Sequence, residues 1–558
     1  MRNFNLLVAT LCIAPALVAG CDHPYDGGDK PAVDPNAPVV HITSPERGAI
    51  AGNVGSVIVT GTATDDIGVT ELTVNGVTAT LAADHTFTAT VPVTPGTNLL
   101  HAIAKDASNN EGKETRSVVA GPMAKLDAHV KNAITASMSA QTFDAIGRGA
   151  AGYIQTADLE SLISASNPVY SAGAPNGPDC LYGQASITSI SVGGTDISLV
   201  PQDGGLYLDA ELDTVLIGMH LDYAAACLDG SRDITVGAAH ISVSGVMAVG
   251  VDDKGAFDIH LDNPVVSLTG FDLELGGIPG AVVNLLHLDT AMGPIIGWAT
   301  GKFVTPMLNK SLAGLGSTKT ITALGSTVDI SVTPSSIVFS DAGAIIELDT
   351  SMRARGDSGG PGFVNVANTT PAMDMTQGFQ VDVAANAANE LLASLWAAKG
   401  LDTTLDLKTG PYGDVGVLYD AVTISALAPP YVDATGDGLR LVVGDLMGSF
   451  TLAGTAVTKI AINAEVDVKV TADPTGALHL DVGNPTVYVD ILDEGVTGAN
   501  ALSSAQFEAL TSFALSRVVA LGSGSVGAIP LPAIGGVTMS NVAIGEQTGY
   551  LVVHGDVQ

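Results

Sequence analysis

The pattern of apolar and polar positions changes period along the chain. From Val39 to Ala120, runs such as SVIVTGTATD (56–65) and HTFTATVPV (85–93) alternate, putting Phe87, Ala89 and Val91 on one face. Alternation of this kind predicts half-buried strands. Asn75-Gly76, between two such runs, predicts a tight hairpin because both positions tolerate positive φ. A helical period follows. Over 124–146, Leu126, Val130, Ile134 and Met138 recur four apart and predict an apolar helix stripe. Ala384, Ala387, Ala388, Leu391, Leu392 and Leu395 predict a second stripe. Two later helices are expected at 294–313, where Pro306 must kink or split the helix, and at 502–521.

These helices belong to a duplicated pattern. GAFDIHLDNPVV (255–266) and GALHLDVGNPTV (476–487) share Gly, Ala, Asn, Pro and Val at matching steps, 221 residues apart. Each copy follows alternating strands and precedes a helix and then more strands. The repeated order predicts two similar lobes, 122–345 and 371–558, joined by a linker at 346–370.

Composition narrows the class. With 46% hydrophobic and 14% charged residues, the chain can bury a core and is not a disordered polymer. Its net charge of −35 excludes nucleic acid as an expected partner, since phosphate binding needs a Lys/Arg footprint. Arg2 followed by LLVATLCIAPALVAG reads as an export signal over 1–20, too short for a comfortable membrane span. It ends in Val18-Ala19-Gly20-Cys21, which resembles the bacterial lipobox. That resemblance implies a lipid on Cys21 and attachment to a membrane of the bacterial cell envelope, facing the periplasm or the cell exterior. Residues 21–38 are rich in Asp, Gly and Pro and predict a solvated tether. Cys12 leaves with the signal, so Cys180 and Cys227 remain to form one disulfide in an oxidising compartment. No CxxC or HExxH is present, and no metal or cofactor is assigned.

Residues 39–120 look like a bacterial immunoglobulin-like sandwich. Asp65, Asp66 and Asp106 fall at an end of it, where aspartates either cap turns or bind calcium. The remainder resembles the bactericidal/permeability-increasing protein family, the tubular lipid-binding (TULIP) proteins. FQVDVAANAANELLASLWAAKGL (379–401) is similar to the family's opening helix. PPYVDATGDGLRLVVGDL (429–446) is similar to its first long strands, and GAIPLPAIGGVTMSNVAIGEQTGYLVVHGDV (527–557) to its closing segment. The first lobe is a looser match through DAHVKNAITASM and the 294–313 helix. The resemblance implies an α+β fold, with two tandem lobes each wrapping a twisted antiparallel sheet around a long helix. It implies acyl chains between helix and sheet, lined by Val130, Ile134, Met138, Ile296 and Phe303 in the first lobe. In the second lobe the lining would be Val383, Ala387, Leu391, Leu395 and Phe513. The same stripes also read as ordinary packed core. Lipopolysaccharide-binding members are basic and this chain is acidic, so phospholipid or another acyl lipid held by its tails is the expected partner.

GDSGGPG (356–362) matches the string around the nucleophile of chymotrypsin-like proteases. Carried over, Ser358 would be the nucleophile, Gly356 and Ser358 the oxyanion hole, Asp357 a loop lock, and His240 and Asp289 the base and its orienter. The context opposes this. His240 lies in an alternating strand pattern, and Ser358 falls between the repeat copies in a glycine-rich turn. Asp433 to Gly444 begins like an EF-hand loop, but Gly stands at its twelfth position, so a hairpin is expected. The reading is a non-enzymatic, membrane-anchored lipid carrier. The alternatives are an adhesion or scaffold protein acting through the sandwich, and a serine protease using Ser358.

Overall fold

Alternation in the N-terminal stretch folds into two facing sheets. In this computed structural model, residues 34–557 are described apart from 157, 159–166, 175–176, 178–179, 274–276, 287–317, 368, 377, 410–414, 435–437, 473–477, 495–501, 510 and 513–538. One sheet of the sandwich orders Val39–Ser44, Ser56–Thr64, Thr86–Pro92 and Thr80–Leu81. The other orders Ala49–Gly52, Glu111–Ala120, Gly96–Asp106, Val69–Val74 and Val77–Thr78. Ile42, Val59, Val74, Phe87, Leu100 and Val118 fill the space between them. Val74 pairs with Val77 across Asn75 and Gly76, both at positive φ, which is the expected hairpin.

The body is built on a seven-stranded sheet. Its order is Thr318–Ala323, Ser326–Ser340, Gly343–Ala354, Val130–Ser139, Phe379–Ala384, Tyr550–Val557 and Met539–Gln547. The two middle strands are antiparallel, from Ile134 opposite Val383 to Met138 opposite Phe379. Each runs directly into a helix: Ala140–Thr156 after the first, Ala385–Ala397 after the second.

The first opening helix, expected over 124–146, begins later than the sequence pattern predicts, because Val130 through Ser139 is a strand. The second stripe, Ala384 to Leu395, lies on the helix Ala385–Ala397 apart from its first residue, although the family-like stretch 379–401 opens as a strand through Ala384. Spacing of four is a multiple of two, so Ile134 and Met138 fit one strand face as well as one helix face, while Val130 lies beyond a register shift and packs in a different cluster. The expected linker at 346–370 begins inside the strand Gly343–Ala354. Of the helix expected at 502–521, residues 504–509 and 511–512 are helical; the one at 294–313 lies outside the described residues. Among the described residues, no helix is long and apolar enough to cross a membrane.

A second sheet comes from the first half. It orders Tyr170–Gly173, Tyr182–Gln202, Gly205–Ala225, Leu228–Val251 and Phe257–Thr269, with Asp272–Leu273 also paired to Leu228–Val251. Cys180 and Cys227 are disulfide-bonded, as expected, at one end of its long hairpins. The Ala140–Thr156 helix lies close against this sheet. A Cβ on Gly147 would stand 2.4 Å from the Ile197 carbonyl oxygen, so only glycine permits the approach.

The third sheet orders Thr403–Asp406, Ala421–Ala426, Leu439–Leu452, Thr455–Ala472 and Leu478–Val482; Tyr431–Ala434 and Thr486–Glu494 pair with its long strands. Tyr431–Ala434 and Leu439–Leu452 form the hairpin expected at the EF-hand-like stretch; Asp437 itself lies outside the described residues. Both repeat copies sit on edge strands that are disturbed at Asn-Pro. The register shifts beside Asn263-Pro264, and the strand stops before Asn484-Pro485. Proline has no N–H for the ladder, which explains both interruptions.

The sandwich is fixed to the body through Arg47. Its Nη1 donates to Asp445 Oδ1 (2.8 Å) and the Thr115 carbonyl (2.8 Å), and its Nη2 to Asp490 Oδ2 (2.9 Å) and Glu114 Oε1 (2.9 Å). Asp445, wholly buried, also accepts the Ser117 N–H (2.7 Å) and hydroxyl (2.8 Å). Burial pushes the Asp490 carboxyl up to about 6, with Arg47 pulling the other way. Removing Arg47 leaves two buried carboxylates short of their counter-ion. Arg47→Ala should cost about 3–5 kcal/mol, read as a loss of stability in chemical denaturation; an unchanged midpoint would show that the contact is not formed in solution.

Candidate apolar ligand site

The three longest strands of the first half make a continuous apolar face. Alternation places Ile187, Met219 and Ile234 in one row across neighbouring strands, with Ile217 opposite Val236 in the next. An extra residue at Thr188 shifts the pleat by one, so Ile190 and Val192 rejoin the face that Ile187 occupies. The strands of 21, 21 and 24 residues are long enough to carry two separate clusters.

At the base, the Ala140–Thr156 helix closes the face completely. Phe143, Ile146 and Ala150 meet Leu199, Leu208 and Met247 there, with Met138, Ile346 and Phe339 from the seven-stranded sheet. Phe143 and Phe339 have ring centroids 5.8 Å apart. At the far end the cover supplied by the described residues is slighter. The seven-residue helix Gly280–Leu286 buries Val282 against Ile187, Ile217 and Val236, while Ile190, Val192, Leu212, Tyr223, Val266 and Leu268 remain only partly buried. An apolar face half-covered in this way can accept hydrocarbon at little polar cost.

The described residues among those expected to line lipid lie in other clusters. Val130 and Ala387 share a buried cluster with Leu126, Ala133, Phe363 and Ala393. Leu395 packs on Val328 and Ala354, with Leu391 against them. Met138 and Ile134 join the closed base of the first-half sheet. Val383 is half-buried on its strand opposite Ile134. Ile296, Phe303, Phe513, Asp289 and Cys21 lie outside the described residues. The stripes from the two halves thus meet at the centre of the molecule as packed core. The partly covered residues at the far end were missed, although their period-two pattern runs openly through 187–268.

The protease-like string has structural partners. Ser358 Oγ donates to the Ala397 carbonyl (3.3 Å), at the end of the second helix. Asp357 accepts Arg353 Nε (2.7 Å) and Nη2 (3.0 Å) and the Gly359 N–H (3.1 Å). The Arg353 guanidinium holds the Asp357 carboxyl below its ordinary range. His240 Nδ1 meets Asp213 Oδ1 at 2.8 Å on the neighbouring strand, and that bond raises the imidazole above its ordinary value. The expected base and nucleophile thus each bond a different group. A separate pocket of about 410 Å³ beside Tyr550–Val557 is lined by the polar Asp374, Gln380, Asn541, His554 and Asp556 together with the apolar Phe379 and Val552.

Residues 38–121 match the family model described as glucodextranase, domain B. Among solved structures, lipopolysaccharide binding protein is 13% identical, with a TM-score of 0.35, covering 76% of this chain and 98% of that one. P47 of Clostridium botulinum E1 is 9% identical, with a TM-score of 0.26, covering 77% of this chain and 100% of that one. P47 from Clostridium botulinum A2 has the same identity and TM-score, covering 77% and 98%. A search of the curated proteins finds no match.

One buried carboxyl at the centre titrates abnormally. Glu390, on the second helix, has no exposed surface, and burial pushes it from 4.5 up to about 8; the Met352 N–H and Ser351 hydroxyl pull it back without reaching full hydrogen-bond geometry. Between those two values the folded state holds a proton that the unfolded state has lost. Stability therefore falls as pH rises from about 4.5 to about 8, at about 1.4 kcal/mol per unit at most. Glu390→Gln should flatten this decline in melting curves taken across that range, and an unaltered slope would refute the assignment.

Proposed function

We propose that the protein binds an acyl lipid on the apolar face of its first-half sheet and carries or presents it at a membrane. The observation that supports this most is the half-covered far end of that face, from Ile190 to Leu268. The resemblance of 379–401, 429–446 and 527–557 to the tubular lipid-binding family points the same way. In this reading two tandem lobes take up hydrocarbon. Exchange needs no energy source, because the chains leave one apolar medium for another of similar free energy. Cys21 carries the lipid anchor, and the chain acts without catalysis.

Native mass spectrometry of the detergent-free protein, without Cys21, tests the proposal. The expected result is added mass that organic solvent releases as phospholipid or fatty acid. Leu268→Asp, on the outer strand of the sheet, should cut that added mass severalfold while leaving the circular dichroism unchanged. A protein that stays free of lipid after incubation with phospholipid vesicles would overturn the reading.

A further inference from the structure

Three carboxylates converge where the chain enters the sandwich. Asp34 precedes the first strand, Asp65 and Asp66 follow Ser56–Thr64, and one oxygen of each lies within 4.8 Å of the others. Asp34 is nine-tenths buried. Its Oδ1 accepts the Asn36 N–H (2.9 Å), whereas its Oδ2 is sealed from water and accepts nothing. Asp65 repeats the arrangement: Oδ1 accepts the Ile67 (3.0 Å) and Gly68 (2.8 Å) N–H groups, and Oδ2 is buried without a donor. Asp66 is steadied by the Asn36 side-chain amide, which donates to its Oδ2 at 3.0 Å. Among the described residues, no lysine or arginine pairs with any of the three. Each carboxylate is thus oriented through one oxygen, and two buried anionic oxygens are left over beside a third charge. Buried like charges repel and are expensive unless a cation joins them.

We propose that Asp34, Asp65 and Asp66 bind a calcium ion. The donors are all hard oxygens, with no imidazole or thiolate to favour zinc. Three carboxylates with room for carbonyl and water oxygens suit the flexible, oxygen-rich shell of calcium, whereas magnesium is usually held by one or two carboxylates. Asp106, at the end of Gly96–Asp106, is a positioning residue. It accepts the Ser108 N–H (2.7 Å) and both the backbone N–H (2.8 Å) and side-chain amide (2.7 Å) of Asn110. That amide in turn donates to the Asp34 and Asn36 carbonyls, both at 2.8 Å. The ion would pin the end of the tether to the sandwich.

The test is equilibrium dialysis of the full chain, in detergent micelles and stripped with EGTA, against radioactive calcium. One ion per chain is expected, retained against about tenfold more magnesium. Asp34→Asn and Asp65→Asn should each weaken binding by about tenfold or more. Asp65 also holds a turn, so circular dichroism accompanies each variant, and Asp34→Asn decides the matter where Asp65→Asn fails to fold. No bound calcium at about 1 mM free ion, or binding unaltered by Asp34→Asn, would overturn the proposal.

Discussion

The antiparallel pairing of Val130–Ser139 with Phe379–Ala384 is the constraint on which the body depends. Each strand has a second neighbour, Gly343–Ala354 on one side and Tyr550–Val557 on the other, so both lie inside the sheet. Each also points its chain into a helix. The helix from the second half then packs across the first-half strand, with Ala387 and Ala393 on Val130 and Ala133. Val130 and Ala133 are thus covered by the other half's helix, whereas Ile134 and Met138 pack within the first half. The polar cost concentrates here as well: Asp382 and Glu390 are buried, and the hydroxyls of Thr135 and Thr350 find no partner. Such groups destabilise the sheet relative to an apolar core, and they also penalise any slip in register that would bury them differently.

Much of this was legible in the residues, and the gaps have physical causes. The sandwich was read almost strand by strand, because Asn75-Gly76 and the alternation around Phe87 are local signals. The disulfide followed from the expected compartment and the cysteine count. The first opening helix was placed too early because spacing of four satisfies both periods. Propensity could have separated them: KNAITASMS carries β-branched residues, whereas AQTFDAIGRGAAG is small and helix-tolerant. The far end of the apolar face was visible as alternation, yet its exposure depends on what covers it, and cover is a non-local property. Arg47 lay beyond any sequence argument, since its partner Asp445 stands 398 residues away.

GDSGGPG shows why a string does not carry a mechanism. An oxyanion hole needs backbone donors aimed at a reacting atom, and a nucleophile needs a base within reach. Here the aspartate locks an arginine on the same strand end, and the serine closes the C-terminus of a helix. The glycines serve the backbone: Gly356, Gly359, Gly360 and Gly362 all take positive φ. The same residue order therefore solves a different problem, turning the chain between a strand and the segment that reaches the second helix.

The docking of the sandwich bears on how the proposed lipid carrier would meet a membrane. A sandwich on a free arm would act as a spacer, leaving the apolar face at any distance and angle. Arg47, Ser117 and Thr97 instead tie it to Asp445, Asp490 and the Pro429 carbonyl, so sandwich and body move together. A Cβ on Gly444 would stand 2.3 Å from that of Ser117, which leaves no room for a looser joint. A net charge of −35 over the whole chain would disfavour close approach of such a carrier to anionic headgroups.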